Sequence, residues 1–196
     1  MRPLLIVCAC TGLFLLRGFN TSVGSPSDQQ SSAAAPGDGS DPTLAIEEKD
    51  AYEIYSILLR TEVPWEVKAW TIQQRTDRGR LPLCIQPTAE QTAIYRPVIE
   101  DFQQKNEKQF LLQRQFDLPV YDLVDRADRV PVREREVLFE VSAVGFNPDH
   151  SRALVYVAHY CGRLCGGGSY HLMVKEKGQW STDRGFRGAP PCRWKS

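Results

Sequence analysis

Residues 159–171, HYCGRLCGGGSYH, contain the side chains of this chain that are best suited to chemistry. Two histidines, His159 and His171, enclose two cysteines, Cys161 and Cys165, and the space between them is rich in glycine. Imidazoles and thiolates bind zinc or copper, and two neighbouring thiols in an oxidising compartment form a disulfide. The stretch therefore predicts a metal site, a redox-active pair or a structural disulfide.

The pairing of the two strands that flank this stretch decides between these sites. In one register the hairpin is centred on Arg163, and Cys161 faces Cys165 at about the separation that a disulfide needs. In the other the hairpin is centred on Cys165, His159 faces His171, and all four side chains converge on zinc or copper. Because C-x3-C is an unusual spacing for structural zinc, we expect the first register and a disulfide.

The N-terminal 24 residues have the pattern of a secretory signal peptide. Arg2 precedes an apolar run over residues 4–16, which is shorter than the roughly 20 residues of a membrane-spanning helix. Small and polar residues follow, and cleavage after Gly24 would start the mature chain at Ser25. We therefore expect a secreted or periplasmic protein without a transmembrane segment once residues 1–24 are removed; retention of these residues as an anchor is the alternative.

Removal of residues 1–24 leaves four of the six cysteines, and an even number in an exported chain favours disulfides. Four cysteines allow three pairings. We favour Cys161 with Cys165 and Cys84 with Cys192. In the chain-entropy model the short loop contributes about 2 kcal/mol and the long one about 5 kcal/mol.

The mature chain has two segments of different composition. Residues 25–43, SPSDQQSSAAAPGDGSDPT, have almost no large apolar side chain, which predicts a flexible linker. Residues 44–196 are long enough for one domain with one core. After residues 1–24 are removed, 22 basic and 24 acidic residues remain, so nothing in the charge favours binding to nucleic acid.

The elements that must position the hairpin follow from hydrophobic periodicity. Residues 41–60 and 87–110 have helical patterns, with Asp41 as the expected N-cap of the first. Residues 67–76 and three segments after Val137 have strand patterns. Because consecutive strands usually pair, we predict an α+β domain in which N-terminal helices pack on one face of a C-terminal antiparallel β-meander. The charged residues 116–136 are expected to form a solvated surface.

The segment VGFNPDHSRALVYVAHYCGRLCGGGSYHLMVKEKGQW resembles the C-terminal signature of a group of exported bacterial proteins of unknown function. That signature has the form VGFN, then ALVYV, then CGxLCG, and finally Y.L..K..G.W, and it covers residues 144–180 of this chain. The resemblance implies export and a shared fold. It implies no activity, because no activity is established for that group.

These observations predict a non-enzymatic, exported binding or structural module, a candidate component of the cell envelope whose partner is unknown. No catalytic residue is expected, because no nucleophile lies at a characteristic spacing from a base. No cofactor is expected either. The alternative is a metal-binding or thiol-redox protein that uses Cys161 and Cys165 with His159 and His171, and its metal would be zinc or copper.

Overall fold

The computed structural model describes residues 44–63, 67–79, 85–125, 137–162, 165–187 and 193–195. The predicted signal peptide (1–24), the predicted linker (25–43), Cys84 and Cys192 lie outside these residues. The elements are α1 (Lys49–Thr61), β1 (Trp70–Gln73), α2 (Thr92–Lys105), β2 (Tyr121–Val124), β3 (Leu138–Val141), β4 (Gly145–Phe146), β5 (Arg152–Gly162), β6 (Cys165–Glu176), β7 (Gln179–Thr182) and β8 (Arg193–Lys195).

The strands form a single mixed sheet. Its main order is β2-β1-β3-β5-β6-β7, while β4 pairs with β5 and β8 pairs with β6. Strand β1 is parallel to both β2 and β3, and the pairs from β3 through β7 are antiparallel. The two longest strands, β5 and β6, therefore lie inside the sheet, where each of them has neighbours on both sides.

The predicted α+β arrangement of N-terminal helices on an antiparallel meander is wrong. The described residues contain two helices and eight strands, so the chain is mostly β, and the sheet is mixed. Strand β1 separates the two helices along the chain and joins the sheet beside β3, so the helices form no N-terminal layer. The prediction failed because pairing was assigned to consecutive strands, whereas β1 and β2 reach the sheet through parallel pairs of long sequence separation.

Helix α1 covers one face of the sheet. Its buried side chains include Ile54, Tyr55 and Leu59, and they share a core with Val155 and Val157 of β5. The helix begins at Lys49, eight residues after the predicted Asp41 N-cap. Before that start, the chain pairs with the segment around Leu111, whose backbone accepts a hydrogen bond from the amide of Ile46 at 3.0 Å, so these backbone groups are satisfied outside a helix.

Helix α2 covers the opposite face. Side chains alternate along β5, so Leu154 and Tyr156 point away from the α1 core and pack with Val98 and Phe102 of α2. The close contact of α2 with β4 needs glycine, because a Cβ at Gly145 would lie 2.4 Å from the backbone nitrogen of Phe102. In the part of the chain that the structure describes, no helix is long and apolar enough to cross a membrane.

Candidate functional site

The β5–β6 hairpin has the first of the two predicted registers. Val155 faces His171, and His159 faces Gly167. The alternative register, in which the two histidines face each other, is therefore not formed. A bulge between Tyr160 and Gly162 changes the pairing at the end of the hairpin.

Cys161 and Cys165 are joined by a disulfide at that end, with their Cα atoms 5.0 Å apart. Cys161 packs against the core on the α1 side of the sheet. Both sulfurs are thus bonded to each other, and a metal site that uses them would first require reduction. The predicted partners Cys84 and Cys192 lie outside the described residues.

The two histidines point to the same face of the sheet and meet at a third residue, Glu62. On β5 and β6 the alternation of side chains puts His159, Ser169 and His171 on the α1 side. Glu62 is the C-cap of α1, and its backbone N–H donates to Leu58 O at 2.8 Å. Both predicted histidines therefore belong to one site, but they contact Glu62 of another element rather than each other.

The Glu62 carboxylate lies between the three side chains. Its Oε2 is 3.2 Å from Nε2 of His171, and its Oε1 is 3.7 Å from Nδ1 of His159. The hydroxyl of Ser169 donates to Oε1 at 3.1 Å and also lies 2.9 Å from Nε2 of His171. The Glu62 side chain is 7 % exposed and Ser169 is 1 % exposed, so the carboxylate depends on these neighbours for solvation. We call these four residues the Glu62 cluster.

Two glycines of β6, Gly167 and Gly168, leave room for large side chains on the two faces of the sheet. A Cβ at Gly167 would lie 3.0 Å from Cε1 of His159, so the imidazole packs over a position without a side chain. On the other face a Cβ at Gly168 would lie 2.4 Å from the hydroxyl of Tyr156 and 2.6 Å from Nε1 of Trp194. The glycine run of the sequence therefore lets large side chains from neighbouring strands lie against β6.

Burial lowers the pKa of His159 below its ordinary value. The nearby Glu62 carboxylate acts in the opposite direction, while the cations Lys195 and Arg193 of β8 add to the decrease. His159 is therefore a neutral imidazole near pH 7.

A cavity of about 400 Å³ lies next to the Glu62 cluster. The last turn of α1, the middle of β6 and the end of β7 form its wall, together with residues on either side of these elements. Its described lining is Leu58, Thr61, Glu62, Ile85, Ser169, Tyr170, His171, Leu172, Thr182, Asp183, Phe186 and Arg193. Its volume is within the range of roughly 300–1,000 Å³ of small-molecule sites, and its lining is mixed apolar and polar.

The arrangement of Ser169, His171 and Glu62 differs from a hydrolytic relay. In such a relay the acid binds Nδ1 of the histidine, and Nε2 is left for the serine hydroxyl. Here the acid and the hydroxyl both lie at Nε2 of His171, and the hydroxyl donates to the acid itself. The order acid–histidine–serine of such a relay is therefore not formed by these three residues.

Metal binding needs several donors at suitable mutual distances. Among the described residues, no group of three or more His, Cys, Asp and Glu side chains is arranged to hold a metal ion. The four predicted metal ligands are divided between two places. His159 and His171 contact Glu62, while Cys161 and Cys165 are joined in the disulfide.

Glu62 is the central residue that sequence reasoning missed. It follows the apolar stripe of a predicted helix, and an acid at the C-terminal end of a helix faces the negative end of the dipole. This unfavourable position could have indicated that Glu62 matters, because an acid at the negative end of a helix usually has a compensating partner. The partners lie about 100 residues later, so the sequence alone did not reveal them.

Comparison with protein-family models, curated proteins and solved structures finds no match. The function must therefore be argued from the site itself.

Proposed function

We propose that this protein is an exported, disulfide-stabilised, non-enzymatic binding module, and that it binds a small ligand in the cavity beside the Glu62 cluster. The observation that carries the proposal is the buried Glu62 carboxylate next to a cavity of ligand size. Polar groups beside an apolar wall give a ligand both orientation and binding energy.

The non-enzymatic part rests on the hydrogen bonding of Ser169. Because its hydroxyl donates to the buried Glu62 carboxylate, Ser169 supports the charge of that residue and is not arranged as the nucleophile of a serine–histidine–acid relay. We expect hydrolysis of p-nitrophenyl acetate to proceed at the same rate with the protein and with its Ser169→Ala variant. A loss of rate in the variant would identify Ser169 as a nucleophile and contradict this part of the proposal.

The cavity is tested by blocking it from β7. Thr182 lines the cavity and is exposed, whereas the neighbouring Ser181 is exposed and is not among the lining residues. A fragment library is screened by two-dimensional NMR, and the hits should shift the amide signals of Thr61, Glu62 and residues 169–172. Thr182→Trp should abolish these shifts and Ser181→Trp should leave them. The proposal would be contradicted if fragments still shifted these amide signals in the Thr182→Trp variant, or if no fragment shifted them in the unaltered protein.

Export is tested separately from binding. The full chain is expressed in a bacterium, and the mature protein is analysed by fractionation, N-terminal sequencing and non-reducing peptide mapping. We expect an extracytoplasmic protein that begins near Ser25 and carries the Cys161–Cys165 and Cys84–Cys192 disulfides. An uncleaved cytoplasmic chain with free thiols would overturn this part.

The second candidate is the metal-binding or thiol-redox protein. One observation favours it: Glu62 contacts both His159 and His171, so a carboxylate joins the two predicted imidazole ligands. Metal analysis of protein purified without chelator, before and after reduction of the disulfide, tests this candidate. One bound zinc or copper per chain that is lost in His171→Ala would support it over the binding module, and metal-free protein in both states would exclude the metal form.

A further inference from the structure

We infer that the cavity beside the Glu62 cluster selects a cationic ligand, a primary ammonium carried by an apolar body. This inference rests on the proposed binding function and specifies the class of ligand. It follows from the charge of Glu62, from the direction of helix α1 and from the apolar residues of the cavity wall.

The first argument is the balance of buried charge. Among the described lining residues two are carboxylates, Glu62 and Asp183, and their side chains are 7 % and 6 % exposed. Asp183 is already paired with Arg152, and it also accepts a hydrogen bond of 2.8 Å from Tyr95. Among the described residues, the Glu62 carboxylate is contacted by the Ser169 hydroxyl and by two imidazoles and forms no ion pair with a Lys or Arg, so it is the buried acid whose charge a ligand can complement.

The second argument is the direction of α1. This helix has 13 residues and ends at Thr61, and the last-turn residues Leu58 and Thr61 line the cavity with the C-cap Glu62. The C-terminal end of a helix carries about half a negative charge, which favours a cation nearby. The helix end and the carboxylate therefore produce a negative potential at the same part of the cavity.

The third argument is the chemistry of the remaining wall. Ile85, Leu172 and the ring of Phe186 line the cavity, and Phe186 is held edge-on against Tyr95 with ring centroids 5.0 Å apart. Such a wall suits an alkyl or aryl group rather than a hydrated ion. Since no group of three ligating side chains is arranged for a metal in the described residues, we commit to an organic ammonium.

Arg193 is the lining residue that opposes this choice. Its side chain is exposed, so water and salt screen its charge, whereas the Glu62 carboxylate is buried and screened less. Arg193 pairs with Ser169 across β8 and β6, so an anionic ligand that reached Arg193 would also approach the Glu62 cluster. The buried charge of Glu62 therefore outweighs that of Arg193, and the cavity should prefer a cation.

Three ligands of one length test the inference: n-hexylammonium, 1-hexanol and hexanoate. Each is titrated into the protein at pH 7.5 and low salt, and its dissociation constant is taken from the amide shifts of Thr61, Glu62 and residues 169–172. We expect hexylammonium to bind about fivefold more tightly than hexanol, as a cation at a helix end would, and hexanoate to bind most weakly.

Charge variants assign the preference to its source. Glu62→Gln keeps the shape of the side chain and should abolish the preference for hexylammonium over hexanol. Asp117→Asn makes the same change of charge at an exposed acid that pairs with Arg60 in the last turn of α1, and it should keep the preference. If Glu62→Gln does not fold, the ratio of hexylammonium to hexanol affinity in the unaltered protein still shows whether the cavity prefers a cation.

The outcomes separate this inference from the proposed function. Equal or tighter binding of hexanol or hexanoate at these amides would overturn the cation preference and leave the binding module in place. If none of the three ligands shifts these amides, the cation inference fails and the proposed cavity loses its support as well.

Discussion

At the scale of single residues, the site is built around the Glu62 carboxylate, which is 7 % exposed and borders the cavity. Glu62 depends on Ser169, His159 and His171, and each of these side chains is at most 16 % exposed. Buried ionised groups are costly unless hydrogen bonds replace their water. The cluster is therefore expected to influence stability as well as binding.

Ser169→Ala should lower the free energy of unfolding by roughly 1–3 kcal/mol, because it removes the 3.1 Å hydrogen bond to a buried carboxylate. Urea denaturation monitored by fluorescence measures the change. Ser181→Ala is the control, since this serine is exposed on β7, and its effect should stay within about 0.5 kcal/mol. Equal effects of the two substitutions would show that the Ser169 hydroxyl contributes nothing specific.

His159 should make the protein less stable in mild acid. Burial lowers its pKa in the folded state below the ordinary value of 6.5, so below pH 6.5 the unfolded chain binds a proton before the folded chain does. The free energy of unfolding should then fall as the pH decreases from 6.5 through the lower pKa of the folded state, with no contribution from this group above that window.

Urea titrations at several pH values between 7.5 and 5 measure this dependence. His159→Asn should make the decrease of stability shallower. His150→Asn is the matched control, because the His150 side chain is 48 % exposed. A slope that is the same in His159→Asn and in the unaltered protein would exclude His159 as the titrating group.

At the scale of elements, the hairpin shows which features could be predicted from the sequence. The spacing of Cys161 and Cys165 was enough to favour the correct register over the one in which His159 faces His171.

Strand β2 was missed, because its alternating charges indicated a solvated surface. It pairs only with β1 among the described strands, and its side chains are exposed or half-buried, so its sequence has little apolar signal.

Loss of the Cys161–Cys165 disulfide should lower the free energy of unfolding by about 2 kcal/mol and leave the fold intact. The bond closes a short loop, so it removes little entropy from the unfolded chain. Cys161→Ser with Cys165→Ser, studied by urea denaturation and near-ultraviolet circular dichroism, measures the effect. The double variant Cys84→Ser with Cys192→Ser is measured in the same way, so that the effects of losing the two cysteine pairs can be compared. Unfolding of the first variant in buffer would show that the hairpin depends on the bond far more than this loop length implies.

At the scale of the whole molecule, one mixed sheet lies between two helices. Side chains of β5 alternate between the α1 core and the α2 core, and both sets are buried. This arrangement could not be derived from the sequence, because a strand that is apolar on both faces indicates coverage but does not say which helix covers which face. The parallel pairs of β1 depend on contacts between distant residues, for which the local pattern gives no information.

Native-state hydrogen exchange should be slowest in residues 153–158 of β5, a stretch that lies between β6 on one side and β3 and β4 on the other and whose side chains are buried on both faces. Strand β2 should exchange much faster, because β1 is its one pairing partner among the described strands. Mass spectrometry of peptic fragments after timed labelling gives both rates. Equal protection of the two strands would mean that the sheet opens only by global unfolding.

The absence of a side chain at Gly168 couples the residues that three positions can hold. The hydroxyl of Tyr156 and the indole of Trp194 are 2.7 Å apart, and together they occupy the volume where a Cβ of residue 168 would lie. A single-site scan would score position 168 as intolerant of every replacement, although the constraint comes from the two aromatic rings. In a library that varies all three positions together, alanine at 168 should return only with smaller residues at 156 or 194, a dependence that single substitutions hide.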